Sequence, residues 1–154
     1  FETVPGKDFP NKPIKGTVTT TKVDATNPQH KLSGAVFEIY RDADGDGRYT
    51  EGVDTLIGRM DEIETGFYSL PDLVYGKYLI YEAQAPANFV RDTIYYPFSI
   101  TEDGQTVTFE TIPGKDFPNR PKTGSSRSVL PYIAFAGSAL GLTTVLLVRR
   151  KKSK

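Results

Sequence analysis

The chain has 154 residues, 38% of them hydrophobic, and no cysteine. That is enough for one domain with a real core, and it excludes a disulfide scaffold or a thiolate metal centre. Charge is balanced overall but split. Residues 1–123 hold all nineteen acidic residues against thirteen basic ones, a net −6, and six basic residues follow Gly124. A mildly acidic body gives no support for a nucleic-acid partner.

In chain order, the first feature is a repeat. Residues 1–13 read FETVPGKDFPNKP and residues 109–121 read FETIPGKDFPNRP, identical at eleven of thirteen positions. The spacing is one domain length, so tandem domains are expected, with 1–11 as the last strand of a preceding repeat. Because Phe1 opens inside this pattern, the chain reads as the C-terminal piece of a longer export precursor. The complete domain is then expected over about 12–119.

Between the copies the texture is all-β. Val, Ile, Thr, Tyr and Phe cluster in short runs. Strands are predicted at Gly16–Val23, Gly34–Tyr40, Thr55–Met60, Gly66–Leu70, Lys77–Gln84, Thr93–Ile100 and Gln105–Thr111. Pro71-Asp72, Tyr75-Gly76, Pro86-Ala87-Asn88 and Asp103-Gly104 are turn signals between them. Pro113-Gly114 bends the chain again before Asp116–Arg120. About seven short strands without a soluble helix predict a β-sandwich.

One segment carries metal-ligand chemistry. Asp42, Asp44 and Asp46 followed by Gly47 match positions 1, 3, 5 and 6 of a calcium loop. Position 12 is Val53 rather than Glu, and Asp54 comes one residue late. Calcium is therefore a candidate cofactor, though none is required, and a polar hairpin closed by Asp and Gly is the alternative. His30, the single histidine, lies in a polar loop and reads as solvated. No hydrolytic constellation and no phosphate loop is present. The glycines of 45–52 sit among carboxylates, which repel phosphate.

The C-terminus has three parts. Arg120-Pro121-Lys122-Thr123-Gly124 is followed by a Ser/Arg spacer and the uncharged run Val129–Val148. As a helix that run reaches about 30 Å, the thickness of the bilayer hydrocarbon. The basic residues of 149–154 are expected on the cytoplasmic side, leaving 1–128 outside.

A Pro-x-Thr-Gly motif, an apolar span and a basic tail together resemble the cell-wall sorting signal of Gram-positive surface proteins. The resemblance implies that a sortase cuts between Thr123 and Gly124 and joins Thr123 to peptidoglycan or to another pilin subunit. Arg120 stands where that family usually has Leu. The protein is then membrane-inserted only before sorting, and cell-wall-anchored afterwards.

The body resembles a second family. Residues 16–24 (GTVTTTKVD), 32–40 (LSGAVFEIY) and 78–86 (YLIYEAQAP) are similar to collagen-adhesin B-type domains, also called SpaA-type. This implies an immunoglobulin-like or prealbumin-like sandwich that serves as the stalk of a pilin or adhesin. The alternative is a domain that itself binds a host or matrix ligand, which a large exposed aromatic patch would favour. Neither role is that of an enzyme on external substrate.

The resemblance also implies an isopeptide bond from Lys22 to Asn119, with Glu82 as the catalytic carboxyl. The residue types suit the chemistry. Attack on an amide needs a neutral amine, which burial supplies by lowering a lysine pKa. A buried, protonated Glu polarises the Asn carbonyl and moves protons as ammonia leaves. Tyr78, Tyr81 and Phe98 are expected to keep the site dry.

Overall fold

The computed structural model describes residues 11–111 and 116–122. The expectations for 1–10, the Thr123–Gly124 bond, the apolar run 129–148 and the tail 149–154 lie outside these residues. Among the described residues no helix is long and apolar enough to cross a membrane. Every regular element among them is a strand.

Among the described residues ten strands form two sheets. The first holds β1 (Lys15–Asp24), β2 (Asn27–Lys31), β5 (Asp61–Glu64), β6 (Phe67–Val74), β9 (Thr106–Thr108) and β10 (Phe117–Asn119). The second runs in the order β4 (Thr55–Arg59), β3 (Val36–Arg41), β7 (Gly76–Gln84) and β8 (Tyr95–Ile100). Pairing is antiparallel except for two short strands beside β1. β9 and β10 both lie parallel to β1, at Thr17–Thr19 and at Lys22–Asp24 respectively. β6 takes the opposite edge of β1. The result is an all-β sandwich.

The core is built by the alternation that any strand imposes on its side chains. Val18, Thr20 and Lys22 of β1 share one face and are all fully buried. Tyr78, Ile80 and Glu82 of β7 do the same from the other sheet. Phe37, Ile39, Phe98 and Ile100 fill the space between. All seven predicted strands shift at one or both ends, and two of them by more than two residues. β6 continues through the Pro71-Asp72 turn signal to Val74, because these two residues are absorbed as a bulge opposite Thr17. Asp72 takes φ 64° there. β9 is only three residues long, since Phe109 leaves the ladder after its amide bonds the Thr19 carbonyl.

Candidate functional site

Three strands from both sheets converge behind the β5–β6 turn. Gly66 makes that turn possible. Its φ is 69°, and a Cβ there would stand 2.9 Å from the Leu32 amide nitrogen. Its carbonyl accepts the Lys22 amide at 2.7 Å, fixing β1 at this residue. Register then places Lys22 beside Phe117 and Asp24 beside Asn119 on the parallel β10. Glu82 arrives from β7 across the sandwich.

The three side chains are in mutual contact. Lys22 Nζ lies 2.7 Å from Glu82 Oε1. It also donates to Asn119 Oδ1 at 2.6 Å. Asn119 Nδ2 donates to Glu82 Oε1 at 2.8 Å and is 3.1 Å from Oε2. Glu82 Oε2 accepts the Asp92 backbone amide at 2.7 Å. Lys22 and Glu82 are fully buried and Asn119 is 2% exposed. Among the described residues no buried side-chain polar atom lacks a partner. Burial pushes the Lys22 pKa down to about 8, while the neighbouring charges of Glu82 and Asp92 favour its ammonium form. A cleft of about 170 Å³, lined by Val90–Asp92 and Pro118–Arg120, opens beside Asn119.

The apolar walls differ from those expected. Phe117 and Phe37 cover the amine, with ring centroids 4.1 Å and 5.5 Å from Lys22 Nζ. Tyr78 and Phe98 stack on each other in the core at 5.4 Å, and Tyr78 bonds the Val74 carbonyl. Tyr81 points to the outer face of β7, since it is one residue out of phase with Ile80 and Glu82. There it stacks on Tyr95 at 4.2 Å, and Tyr95 stacks on Tyr49 at 4.5 Å. The Arg91 guanidinium sits 5.6 Å from the Tyr81 ring. The stack ties the 42–54 loop, through Tyr49, to the outer face of the sheet.

In that loop, carboxylate oxygens of Asp42, Asp44 and Asp46 all lie within 4.8 Å of one another. Asp54 does not join them. Its two oxygens accept the Ala43 and Thr50 amides, at 2.9 Å and 2.7 Å. Asp42 accepts the Gly45 and Gly47 amides, at 2.8 Å and 3.1 Å, and the Lys77 ammonium donates to the Gly45 carbonyl at 2.9 Å. The donor set is chemically right for a hard cation, yet the buried carboxylate is already satisfied by backbone. Asp42→Ala is therefore expected to lower stability by about 2 kcal/mol with chelator present, as two charge-assisted bonds to a buried group are lost. Calcium titration separates the two roles. A millimolar-range rise in melting temperature that Asp44→Ala abolishes assigns ligands, and a flat titration leaves turn chemistry alone. His30 lies on β2, exposed, with Nδ1 3.7 Å from Asp24 Oδ2.

Comparison with known proteins agrees with this architecture. A family profile described as SpaA, a prealbumin-like fold domain, matches residues 16–114, well over half of the chain. The chain belongs to this family. No curated protein matches the sequence. Among solved structures, the Bacillus anthracis TIE protein is 25% identical with a TM-score of 0.56, over 70% of this chain and 17% of its own. BcpA*(D312A), the major pilin subunit of Bacillus cereus, is 22% identical with a TM-score of 0.50, over 63% of this chain and 28% of its own. The T6 backbone pilin of serotype M6 Streptococcus pyogenes is 16% identical with a TM-score of 0.50, over 70% and 34%. The last two show the fold alone. This SpaA-type chain thus spans between 17% and 34% of these three neighbours.

Proposed function

We propose that this SpaA-type domain is a structural stalk module of a sortase-anchored surface protein, locked by a bond between Lys22 and Asn119. The observation that carries the reading is the dry contact of Lys22, Glu82 and Asn119, all within 2.8 Å of a partner. A buried ammonium, carboxylate and amide cost much desolvation for little net stability, so they need another use. The near-copy of 109–121 at 1–13 supports a stalk of repeated modules.

The chemistry follows from the contacts. Lys22 passes a proton to Glu82 and becomes a nucleophilic amine. Nζ bonds to Asn119 Cγ, and the Cγ–Nδ2 bond breaks. Of the two protons that Nζ gives up, one leaves on ammonia and the other stays on Glu82. The carboxyl touches both nitrogens, so it is placed to take from one and give to the other. Rotating the amide by 180° exchanges its ends and sets Oδ1 on the Glu82 carboxyl, where a proton polarises it. Packing replaces a bimolecular encounter with a step inside one folded chain. Ammonia has the cleft beside Asn119 as its way out. Proteolysis is expected to release a branched peptide joining Lys22 to Asn119, and recovery of only linear peptides defeats the reading.

Anchoring rests on the sequence of 120–154. In cells, Thr123 is expected to be the C-terminus of the displayed product, attached to peptidoglycan or to another subunit. Mass spectrometry of wall digests checks this, and surface protein still carrying 129–154 overturns it.

A further inference from the structure

We propose that Asp92 is a positioning residue for the cross-linking reaction, orienting the Glu82 carboxyl through its own backbone amide. The role rests on the Lys22–Asn119 reading above and adds a residue to it. Glu82 has two oxygens with different duties. Oε1 meets the Lys22 and Asn119 nitrogens, at 2.7 Å and 2.8 Å. Oε2 takes the Asp92 N–H at 2.7 Å, with Asn119 Nδ2 farther off at 3.1 Å. That bond fixes the rotation of the carboxyl plane, and with it which lone pair faces the amine.

The Asp92 amide does not belong to any strand ladder, since β7 ends at Gln84 and β8 begins at Tyr95. Its place depends on local bonds. The Asp92 carboxylate accepts the Ile94 amide at 2.9 Å, an Asx turn, and the Tyr96 hydroxyl at 2.7 Å. The flanking residues are tied to both reacting strands. Arg91 Nη1 donates to the Ala83 carbonyl at 3.0 Å, next to Glu82. The Val90 amide donates to the Arg120 carbonyl at 2.8 Å, next to Asn119. The segment 90–92 is thus a strap between the carboxyl and the acceptor, with Asp92 as its fixed point. Its negative charge also favours the Lys22 ammonium, so the side chain helps by geometry and not by charge.

That split makes the test specific. The full chain is made by cell-free synthesis, quenched in acid at intervals, and followed by intact mass. Limited proteolysis of parallel samples reports the folded fraction. In the folded fraction, Asp92→Ala keeps the amide but loses the two side-chain bonds that aim it at Glu82, and is expected to cross-link at least about tenfold more slowly than wild type. Asp92→Asn retains an oxygen for the Ile94 amide and is expected at the wild-type rate or faster. Tyr96→Phe removes one anchor, leaves the ring packed, and is expected to be slowed less than Asp92→Ala. It carries the test if Asp92→Ala does not fold. Wild-type rates in both Asp92→Ala and Tyr96→Phe overturn the proposal, and so does Asp92→Asn as slow as Asp92→Ala. A wild-type chain that loses no mass removes the reaction itself, and that is read before any variant is compared.

Discussion

Replacing Glu82 by Gln is expected to leave the chain at its full sequence mass, about 17 Da above the wild type, which loses ammonia. The substitution keeps the volume of a fully buried side chain and the hydrogen bond from the Asp92 amide. It removes only the group that accepts a proton from Lys22 and returns one to Asn119. Glu82→Ala has the same effect on mass but strands a buried ammonium, at about 3–5 kcal/mol, so Gln is the cleaner variant. Lys22→Ala and Asn119→Ala are expected to restore full mass by removing nucleophile and acceptor. A full mass in the wild-type chain rules the bond out. A loss that survives Asn119→Ala moves the acceptor elsewhere.

The second large effect is on stability. Lys22 and Asn119 lie 97 positions apart, so the proposed bond closes nearly the whole domain. A crosslink of about 100 residues restricts the unfolded chain by roughly 4–5 kcal/mol. For a domain of this size that corresponds to a melting temperature lower by roughly 20–30 °C in Asn119→Ala. The gap depends on pH in a defined direction. In the unlinked domain Lys22 titrates near 8 rather than 10.5. The unfolded chain then binds more protons between those values, so the variant gains stability as pH rises from about 8 to about 10.5 and loses it on the way down. The linked wild type has an amide there and no such titration. The melting-temperature gap is therefore expected to narrow above pH 8, and differential scanning calorimetry of the pair across that range checks both the size and the slope. A gap of a few degrees, constant with pH, contradicts the crosslink.

Short runs of β-branched and aromatic residues made most strands legible, and the family resemblance pointed to the site. Lys22 and Glu82 came from the resemblance, and alternation explains their burial only in retrospect: Thr20 and Lys22, like Ile80 and Glu82, are two apart and share the core face. Asn119 lay outside any predicted strand, and the resemblance marked it, with the repeat at 1–13 placing an Asn at the matching position. β10 escaped a periodicity reading because three residues are too few to show a period. β2 and β5 escaped for another reason: all their residues are exposed, so no burial contrast exists to be written into the sequence. Pro71-Asp72 looked like a turn because a bulge and a turn demand the same backbone freedom. The aromatic walls were expected from Tyr78, Tyr81 and Phe98, whereas Phe37 reaches the amine from the other sheet and Phe117 from the neighbouring strand β10. Asp92 left no signal, for its part in the site is played by a backbone amide that every residue but proline owns.

The parallel pairing of β1 with β10 has a mechanical consequence. β1 enters the domain at Lys15, and β10 leaves it just past Asn119 in the same direction, so tension between the ends shears two neighbouring strands along their length. With the Lys22–Asn119 bond in place, force travels along seven residues of β1, crosses one amide and exits. The rest of the sandwich hangs from this short line without carrying it. An unlinked domain that gave way would pay out its chain at about 3.3–3.6 Å per residue, on the order of 300 Å. The linked one has almost no slack to release. On the proposed stalk reading, linked modules in series make a cord of fixed length, which passes a tug along itself undamped.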